Sequence, residues 1–275
     1  MENRVNVLYT TTKCNLACDY CYEEASRLNL PEQLNITEQD IFNYLTEIVK
    51  REKDNVSTVV IMGGEPFMKF HLLYKTIKMM GSMMGGMNTH RWGVSIVTNA
   101  TELLSIGMIK ELLDIKGSNT DITFELSYDV SGHFRRVYRN STISSRNTVE
   151  ETIQDFIDNE IPFKISYTLH KDNYHNFVKD MIYIFERFGT KYVKAVKTSV
   201  YCQELSDMIG DHQKAVDDLK PYARVLFDRY GVPICDLVCD KCGICDKSNF
   251  VGKSYCGPTN MGYEKLKTEK VFDCW

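Results

Sequence analysis

Between residue 4 and about residue 230, hydrophobic and polar positions alternate between two periods, short strand-like runs and longer helix-like stretches. VNVLYT opens the series. A helix starting near Thr37 follows, with Thr37 as N-cap, Asp40 beside its dipole, and Ile41, Phe42, Leu45, Ile48 and Val49 on its buried face. STVVIM (57–62) is a second strand, and its helix carries Leu73, Ile77, Met80 and Met84 on one stripe until Gly85 and Gly86 stop it. WGVSIVTN (92–99) leads to a helix with Leu104, Met108 and Leu112. DITFELSYD (121–129) sets Ile122, Phe124 and Leu126 between polar neighbours, ahead of a helix with Val149, Ile153, Phe156 and Ile157. PFKISYTL (162–169) alternates Phe163, Ile165, Tyr167 and Leu169, and the helix after Asn173 carries Phe177, Met181, Ile184, Phe185 and Phe188. YVKAVKTSVY (192–201) is the sixth strand, and the helical stretch 206–230 is expected to break at Pro221.

Six strand–helix units in succession predict an α/β fold with a parallel sheet. Six units suit an open, partial (β/α)6 barrel; a flat doubly wound sheet fits the periodicity as well. Both architectures place ligands at the carboxyl ends of the strands. The pattern gives a core over 1–230 and leaves 231–275 as a small cysteine-rich C-terminal extension.

Composition narrows the function classes. A hydrophobic content of 43% and a charged content of 25% describe an ordinary globular chain. No apolar run reaches the roughly 18 residues of a membrane span, and MENRVNVLYT lacks the features of a signal peptide, so the expected address is cytoplasmic. A net charge of -4 gives no general attraction to nucleic acid or anionic membrane.

The ten cysteines fall into two clusters, with Cys202 alone between them. Cys14, Cys18 and Cys21 follow the first strand, and Cys235, Cys239, Cys242, Cys245, Cys256 and Cys274 occupy the tail. Such spacing in a cytosolic chain points to metal or redox chemistry. Other polar groups collect at the same strand ends: GGEP (63–66) after strand two, Thr98 and Asn99 after strand three, Ser127 and Asp129 after strand four, and LHKDN (169–173) after strand five. Taken singly, each of these is an ordinary turn or cap; together they converge on one mouth. Iron–sulfur clusters of the 4Fe–4S type take four ligands. Three cysteines leave one iron open, beside glycine-rich backbone and Glu65, for chelation by an amino acid.

Cys14-x-x-x-Cys18-x-Tyr20-Cys21 resembles the signature of radical S-adenosylmethionine (radical SAM) enzymes, and GGEP after strand two matches that family too. The resemblance implies that Cys14, Cys18 and Cys21 ligate a 4Fe–4S cluster whose open iron binds the amine and carboxylate of S-adenosylmethionine. One electron then splits the cofactor to a 5′-deoxyadenosyl radical, which takes a hydrogen atom from the substrate. It further implies that Gly63, Gly64 and Glu65 hold the methionine amine, with Pro66 stiffening the turn. Asn99, Ser127 and Asp129 are implied contacts to the cofactor. Arg135, Arg136 and Arg139 compete for its carboxylate, with Arg139 preferred, and Tyr20, Leu169 and Val200 are placed around the adenine. An electron donor such as flavodoxin or ferredoxin is implied as a partner.

CNLACDYCY together with SYDVSGHFRRVYR looks most like the branch that modifies peptides and proteins. In the tail, CGPTNMGYEKLKTEKVFDC resembles the start of the auxiliary-cluster domains called SPASM or twitch. Six tail cysteines suffice for one four-cysteine site, a second 4Fe–4S cluster or a structural zinc. Cys256 and Cys274 with a Cys-x-x-Cys pair from 239–245 are the favoured set. Six lysines in 231–275 face four Asp and two Glu, so no basic patch supports nucleic-acid binding there. The leading expectation is hydrogen abstraction from a peptide or protein side chain, with recognition by a separate partner protein. A small molecule or nucleoside is the alternative substrate, and a non-catalytic iron–sulfur or zinc protein is the alternative from another class.

Overall fold

The structure, a computed structural model, describes residues 5–21, 36–51, 56–85, 88–101, 105–235 and 237. The tail cysteines 239, 242, 245, 256 and 274 therefore lie outside the described residues, and so does Leu104.

The element order is β1 (Val5–Thr11), α1 (Glu38–Arg51), β2 (Val56–Gly63), a 3₁₀ turn (Pro66–Lys69), α2 (Phe70–Ser82), a two-strand ribbon β3 (Met84–Gly85) and β4 (Asn88–Thr89), β5 (Arg91–Thr98) and α3 (Ile106–Ile115). There follow β6 (Thr120–Ser127), a 3₁₀ turn (Val130–Arg135), α4 (Arg146–Asp158), β7 (Phe163–Leu169), α5 (Lys171–Tyr174), α6 (Phe177–Phe188), β8 (Val193–Val200), α7 (Cys202–Ile209), α8 (His212–Tyr230) and β9 (Ile234–Cys235). The six expected strands are all present. A seventh, β9, pairs in parallel with β8 and carries the sheet beyond residue 230 to Cys235.

Strand order decides between the two architectures. The main sheet runs β1-β2-β5-β6-β7-β8-β9 with every pairing parallel. Each strand is laid beside its predecessor in one direction, so there is no reversal point and the crossover helices all lie on one face. This is the winding of an open barrel.

The two faces of the sheet differ accordingly. Register rows such as Leu8–Ile61–Ile96–Phe124–Phe163 lie on the helix side, and each of these side chains is at most 1% exposed. Phe156 of α4 packs edge-on against both Phe124 and Phe163 at 5.5 and 5.8 Å. Full burial of each such side chain contributes roughly 1.5–3 kcal/mol. The opposite face carries the rows Val97–Glu125–Lys164–Ala195 and Ser127–Ser166–Lys197–Cys235. Parallel sheets are ordinarily buried and aliphatic on both faces; this one carries polar and charged side chains on the β6–β8 part of its inner face.

Three helix boundaries depart from expectation. The stripe predicted to reach Met84 stops at Ser82, because Met83 is extended and Met84 and Gly85 enter β3. A short capped helix, α5, precedes α6, with His170 Nδ1 accepting from the Asp172 N–H. The predicted break at Pro221 does not occur: α8 runs through it. Pro221 and Asp217, whose carbonyl loses its partner, are both exposed, so water takes that carbonyl. The chain breaks instead at Gly210, left-handed at φ 84°, and Asp211 caps α8 by accepting from Gln213 N–H at 2.8 Å.

Candidate functional site

Cys14, Cys18 and Cys21 sit on the loop leaving β1, at the carboxyl edge of the sheet, and none is in a disulfide. Backbone bonds hold that loop on two sides. On one side Gly64 N–H donates to Thr11 O at 2.9 Å and Glu65 N–H to Lys13 O at 2.7 Å. On the other, Ala17 N–H donates to Val137 O at 2.9 Å and Arg139 N–H to Asn15 O at 2.8 Å.

The paired glycines are required by this approach. A Cβ on Gly63 would fall 2.2 Å from Thr11 O, and Gly63 has φ +137°; a Cβ on Gly64 would fall 1.9 Å from Lys13 O. Pro66 opens the adjacent 3₁₀ turn, which Glu65 caps by accepting from Phe67 N–H. The Glu65 carboxylate faces inward rather than toward a ligand. Its oxygens accept from Phe67 N–H at 3.1 Å, Thr98 Oγ1 at 2.8 Å and Asn99 N–H at 2.7 Å, tying the end of β2 to the end of β5. Burial pushes its carboxyl up to about 7 against those three donors. Glu65 thus braces the turn that carries the Gly63–Gly64 backbone.

Asn99 donates through Nδ2 to Asn15 Oδ1 at 2.8 Å and lies 3.5 Å from Cys14 Sγ. Leu16 N–H also reaches Cys14 Sγ, at 3.4 Å. These N–H···S contacts suit a thiolate ligand. Burial pushes the Cys18 thiol up to about 12 against the pull of Arg136, with Cys21 and Cys14 adding to the rise. The thiol is therefore protonated without a metal, and binding a cation there must release that proton. Three thiols on one clamped loop, with amide donors aimed at sulfur, fit a cluster held by three cysteines.

The far wall of the mouth departs from expectation. Asp129 is fully buried, and its oxygens accept from Arg136 Nε at 2.6 Å, Arg136 Nη2 at 3.2 Å, Thr168 N–H at 2.7 Å and the Tyr20 hydroxyl. Both of its oxygens are engaged inside the protein, which places it in the wall behind the cysteine loop. Tyr20 is likewise occupied: its ring stacks on His170 at 5.3 Å, and the Arg135 and Arg136 guanidinium carbons lie 5.2 and 5.4 Å from its centre. Arg135 in turn binds Asp19 of the cysteine loop, Asp172 and Glu204 at 2.8, 3.1 and 2.7 Å. His170, Asp172 and Glu204 come close enough to suggest a cation site, but the Arg135 guanidinium already fills it.

Arg139, preferred for the cofactor carboxylate, is exposed and binds the cysteine loop itself, through Nε to Cys14 O at 3.2 Å and Nη2 to Leu16 O at 3.0 Å. Leu169 shares the helix-side face with Tyr167, which packs on Phe177 of α6. Val200 is its register partner on that face. Strand alternation thus turns both side chains away from the chamber and from any adenine there. Ser127 does face the chamber, in register with Ser166. Cys235 lies on the same inner face, beside Lys197, and its carbonyl accepts from Thr198 Oγ1 at 2.7 Å.

The model of the Radical SAM superfamily matches residues 8–184, more than half of the chain and all of this wall and loop apparatus up to α6. The chain belongs to the radical SAM superfamily. Among curated proteins it is similar to an uncharacterized protein, MJ0907, of Methanocaldococcus jannaschii, at 28% identity over 190 residues, 67% of this chain and 59% of that one. The radical SAM chain thus spans less than two thirds of that relative's length. Its fold is similar to that of anSMEcpe with bound AdoMet and Cp18Cys peptide (TM-score 0.63, 16% identity, 84% of this chain and 62% of the other). It is also similar to a spore photoproduct lyase mutant with bound AdoMet and a dinucleoside spore photoproduct (TM-score 0.57, 12% identity, 83% and 75%). Among the described residues no helix is long and apolar enough to cross a membrane.

Proposed function

We propose that the chain binds a 4Fe–4S cluster through Cys14, Cys18 and Cys21 and S-adenosylmethionine beside it, and that it removes a hydrogen atom from a substrate held inside the barrel. When bound, cluster and cofactor supply the 5′-deoxyadenosyl radical. The chain's own residues do the positioning. Gly63 and Gly64 let the cysteine loop close onto β2, Asn99 and Leu16 N–H support Cys14, and the Asp129–Arg136–Tyr20 wall fixes the Cys18–Cys21 side. The observation that carries the reading is the doubly clamped three-thiol loop over a polar barrel interior.

The test is anaerobic reconstitution of the wild type and of a variant with all three cysteines changed to alanine. The wild type should hold about four more irons per chain and release 5′-deoxyadenosine on reduction with S-adenosylmethionine. Equal iron in both, or no 5′-deoxyadenosine from the wild type, refutes it.

For the substrate, a peptide or protein side chain is the favoured class. Support comes from the likeness to the peptide-bound anSMEcpe structure and from the SPASM-like spacing in the tail. A nucleoside or other small molecule is the second reading, favoured by the dinucleoside-bound lyase of the same fold. Co-expression with short neighbouring reading frames separates them: a mass-shifted peptide supports the first. In this reading residues 231–275 hold one auxiliary 4Fe–4S cluster or a zinc ion, with Cys235, which ends β9, at the entrance to the segment. A flavodoxin or ferredoxin supplies the electron.

A further inference from the structure

The inner face of the barrel holds a charge imbalance at mid-strand that the loop chemistry does not use. Glu125 of β6 is 4% exposed. It accepts from Ser95 Oγ of β5 at 2.5 Å, and its other oxygen lies 3.6 Å from Lys197 Nζ of β8. Lys197 reaches this carboxylate across β7, over its own register partner Ser166. Lys164 of β7 is the direct register partner of Glu125 on the same face. Its ammonium forms no ion pair or hydrogen bond among the described residues.

Two lysines thus face one carboxylate, and only Lys197 is paired with it. Burial alone would raise the Glu125 carboxyl, yet Lys197, Ser95 and Lys164 hold it below the ordinary carboxylate range, so the anion is present and the surplus charge is positive. Among the described residues the other charged side chains on this face are Arg91 and Asp121, at its exposed lower end. A surplus cation facing a half-enclosed chamber calls for an anion. Glu125 lies two residues before Ser127, about 7 Å below the mouth along the strand. A group bound there belongs to the same molecule as an atom presented to the mouth.

We propose that Lys164 and Lys197 form a subsite for a single carboxylate of the substrate, with Glu125 as the resident counter-ion that competes for Lys197. The inference rests on the proposed function only in calling the bound molecule a substrate. The depth suits an acidic side chain or a chain-terminal carboxylate a few bonds from the reacting carbon.

The test uses the full-length reconstituted protein with S-adenosylmethionine and two probes that differ only in the charged group, N-acetylglutamate α-amide and N-acetylglutamine α-amide, titrated by calorimetry. The carboxylate probe should bind at least about tenfold more tightly, as expected of charge-assisted hydrogen bonds. Lys197→Met and Lys164→Met should each remove about tenfold of that affinity, and Glu125→Gln should increase it by freeing Lys197. Equal binding of the two probes, no saturable binding of either, or undiminished preference in the lysine variants overturns the proposal. Tighter binding of inorganic phosphate than of the carboxylate probe overturns it in favour of a phosphoryl group. If a lysine variant does not fold, the sign of the Glu125→Gln effect still decides. Formation of 5′-deoxyadenosine is measured in the same preparations: its absence alongside a retained carboxylate preference refutes the radical function and leaves the subsite standing.

Discussion

Arg136→Met tests whether the wall behind the cysteine loop depends on a buried ion pair. Asp129 is 0% and Arg136 7% exposed, and the guanidinium lies 2.6 Å from the carboxylate. Without the cation, Asp129 keeps only neutral donors, the Thr168 N–H and the Tyr20 hydroxyl. Removing one side of a buried pair costs about 3–5 kcal/mol, a large part of a typical folding free energy. Asp129→Asn removes the charge that needs compensation, so Asp129→Asn/Arg136→Met should recover most of that loss. The pH dependence supplies an independent sign. In the wild type burial would raise the Asp129 carboxyl, but Arg136 holds it below its ordinary 3.8. Its stabilising contribution is present above the unfolded value and is lost as pH falls through the lower folded value. In Arg136→Met burial is opposed only by weaker influences such as the Thr168 N–H, and the folded value rises above the unfolded one. That variant is then most stable in acid and loses stability as pH rises through the raised value. Urea unfolding of the full chain at several pH values reads all three quantities. A single variant within about 1 kcal/mol of wild type, a double variant no more stable than the single, or pH slopes of the same sign in wild type and single variant would refute the reasoning.

Further expectations concern the loop itself. Gly64→Ala should push the Lys13 carbonyl away by more than an ångström, breaking the 2.7 Å bond from Glu65 N–H and lowering iron retention severalfold. Gly107→Ala, whose added Cβ meets nothing closer than Ser105 Oγ at 3.8 Å, should retain iron fully. Iron analysis and far-ultraviolet circular dichroism check both, and equal iron in the two variants would show that the close approach is dispensable. Asn99→Ala removes the 3.5 Å N–H···S contact to Cys14. It should shift the cluster's midpoint potential negative by roughly 20–60 mV, the one-electron equivalent of one modest hydrogen bond. An electron paramagnetic resonance titration reads the shift, and an unchanged potential would confine Asn99 to holding Asn15.

The strands, their order of appearance and the cysteine loop were legible because each rests on local pattern. Alternation identified the buried positions of β6 and β7, and three cysteines within eight residues need no tertiary information to be noticed. The resemblance places Leu169 near the adenine, whereas alternation gives it the parity of Ile165 and Tyr167 and so the helix side. Arg135, Arg136 and Arg139 were indistinguishable in sequence because their roles depend on what lies opposite. Asp129 waits for one, Asp19 with Glu204 for another, and the carbonyls of Cys14 and Leu16 for the third. The resemblance of GGEP gives Glu65 a place at the cofactor amine. Its direction is set by the N-terminus of the 3₁₀ turn and by the end of β5, both of which need an acceptor. Pro221 was given too much weight because its cost falls steeply when the orphaned carbonyl faces water.

The division of labour between loop and barrel follows from the winding. A sheet that always adds its next strand on the same side leaves one face without helices, and that face must be either filled or functional. Here the helix side is filled with aliphatic and aromatic rows, while the inner side carries Ser95, Glu125, Lys164, Ser166 and Lys197 at positions where packing alone would favour valine or isoleucine. Of the two lysines there, only Lys197 is paired with the single carboxylate. The cysteine loop, by contrast, is overdetermined, with backbone clamps on both sides and three carboxylates gathered on Arg135. Chemistry common to the superfamily is therefore built into the rigid rim. The proposed subsite places what distinguishes this chain's substrate on the strand interior, where Lys164 and Lys197 face Glu125.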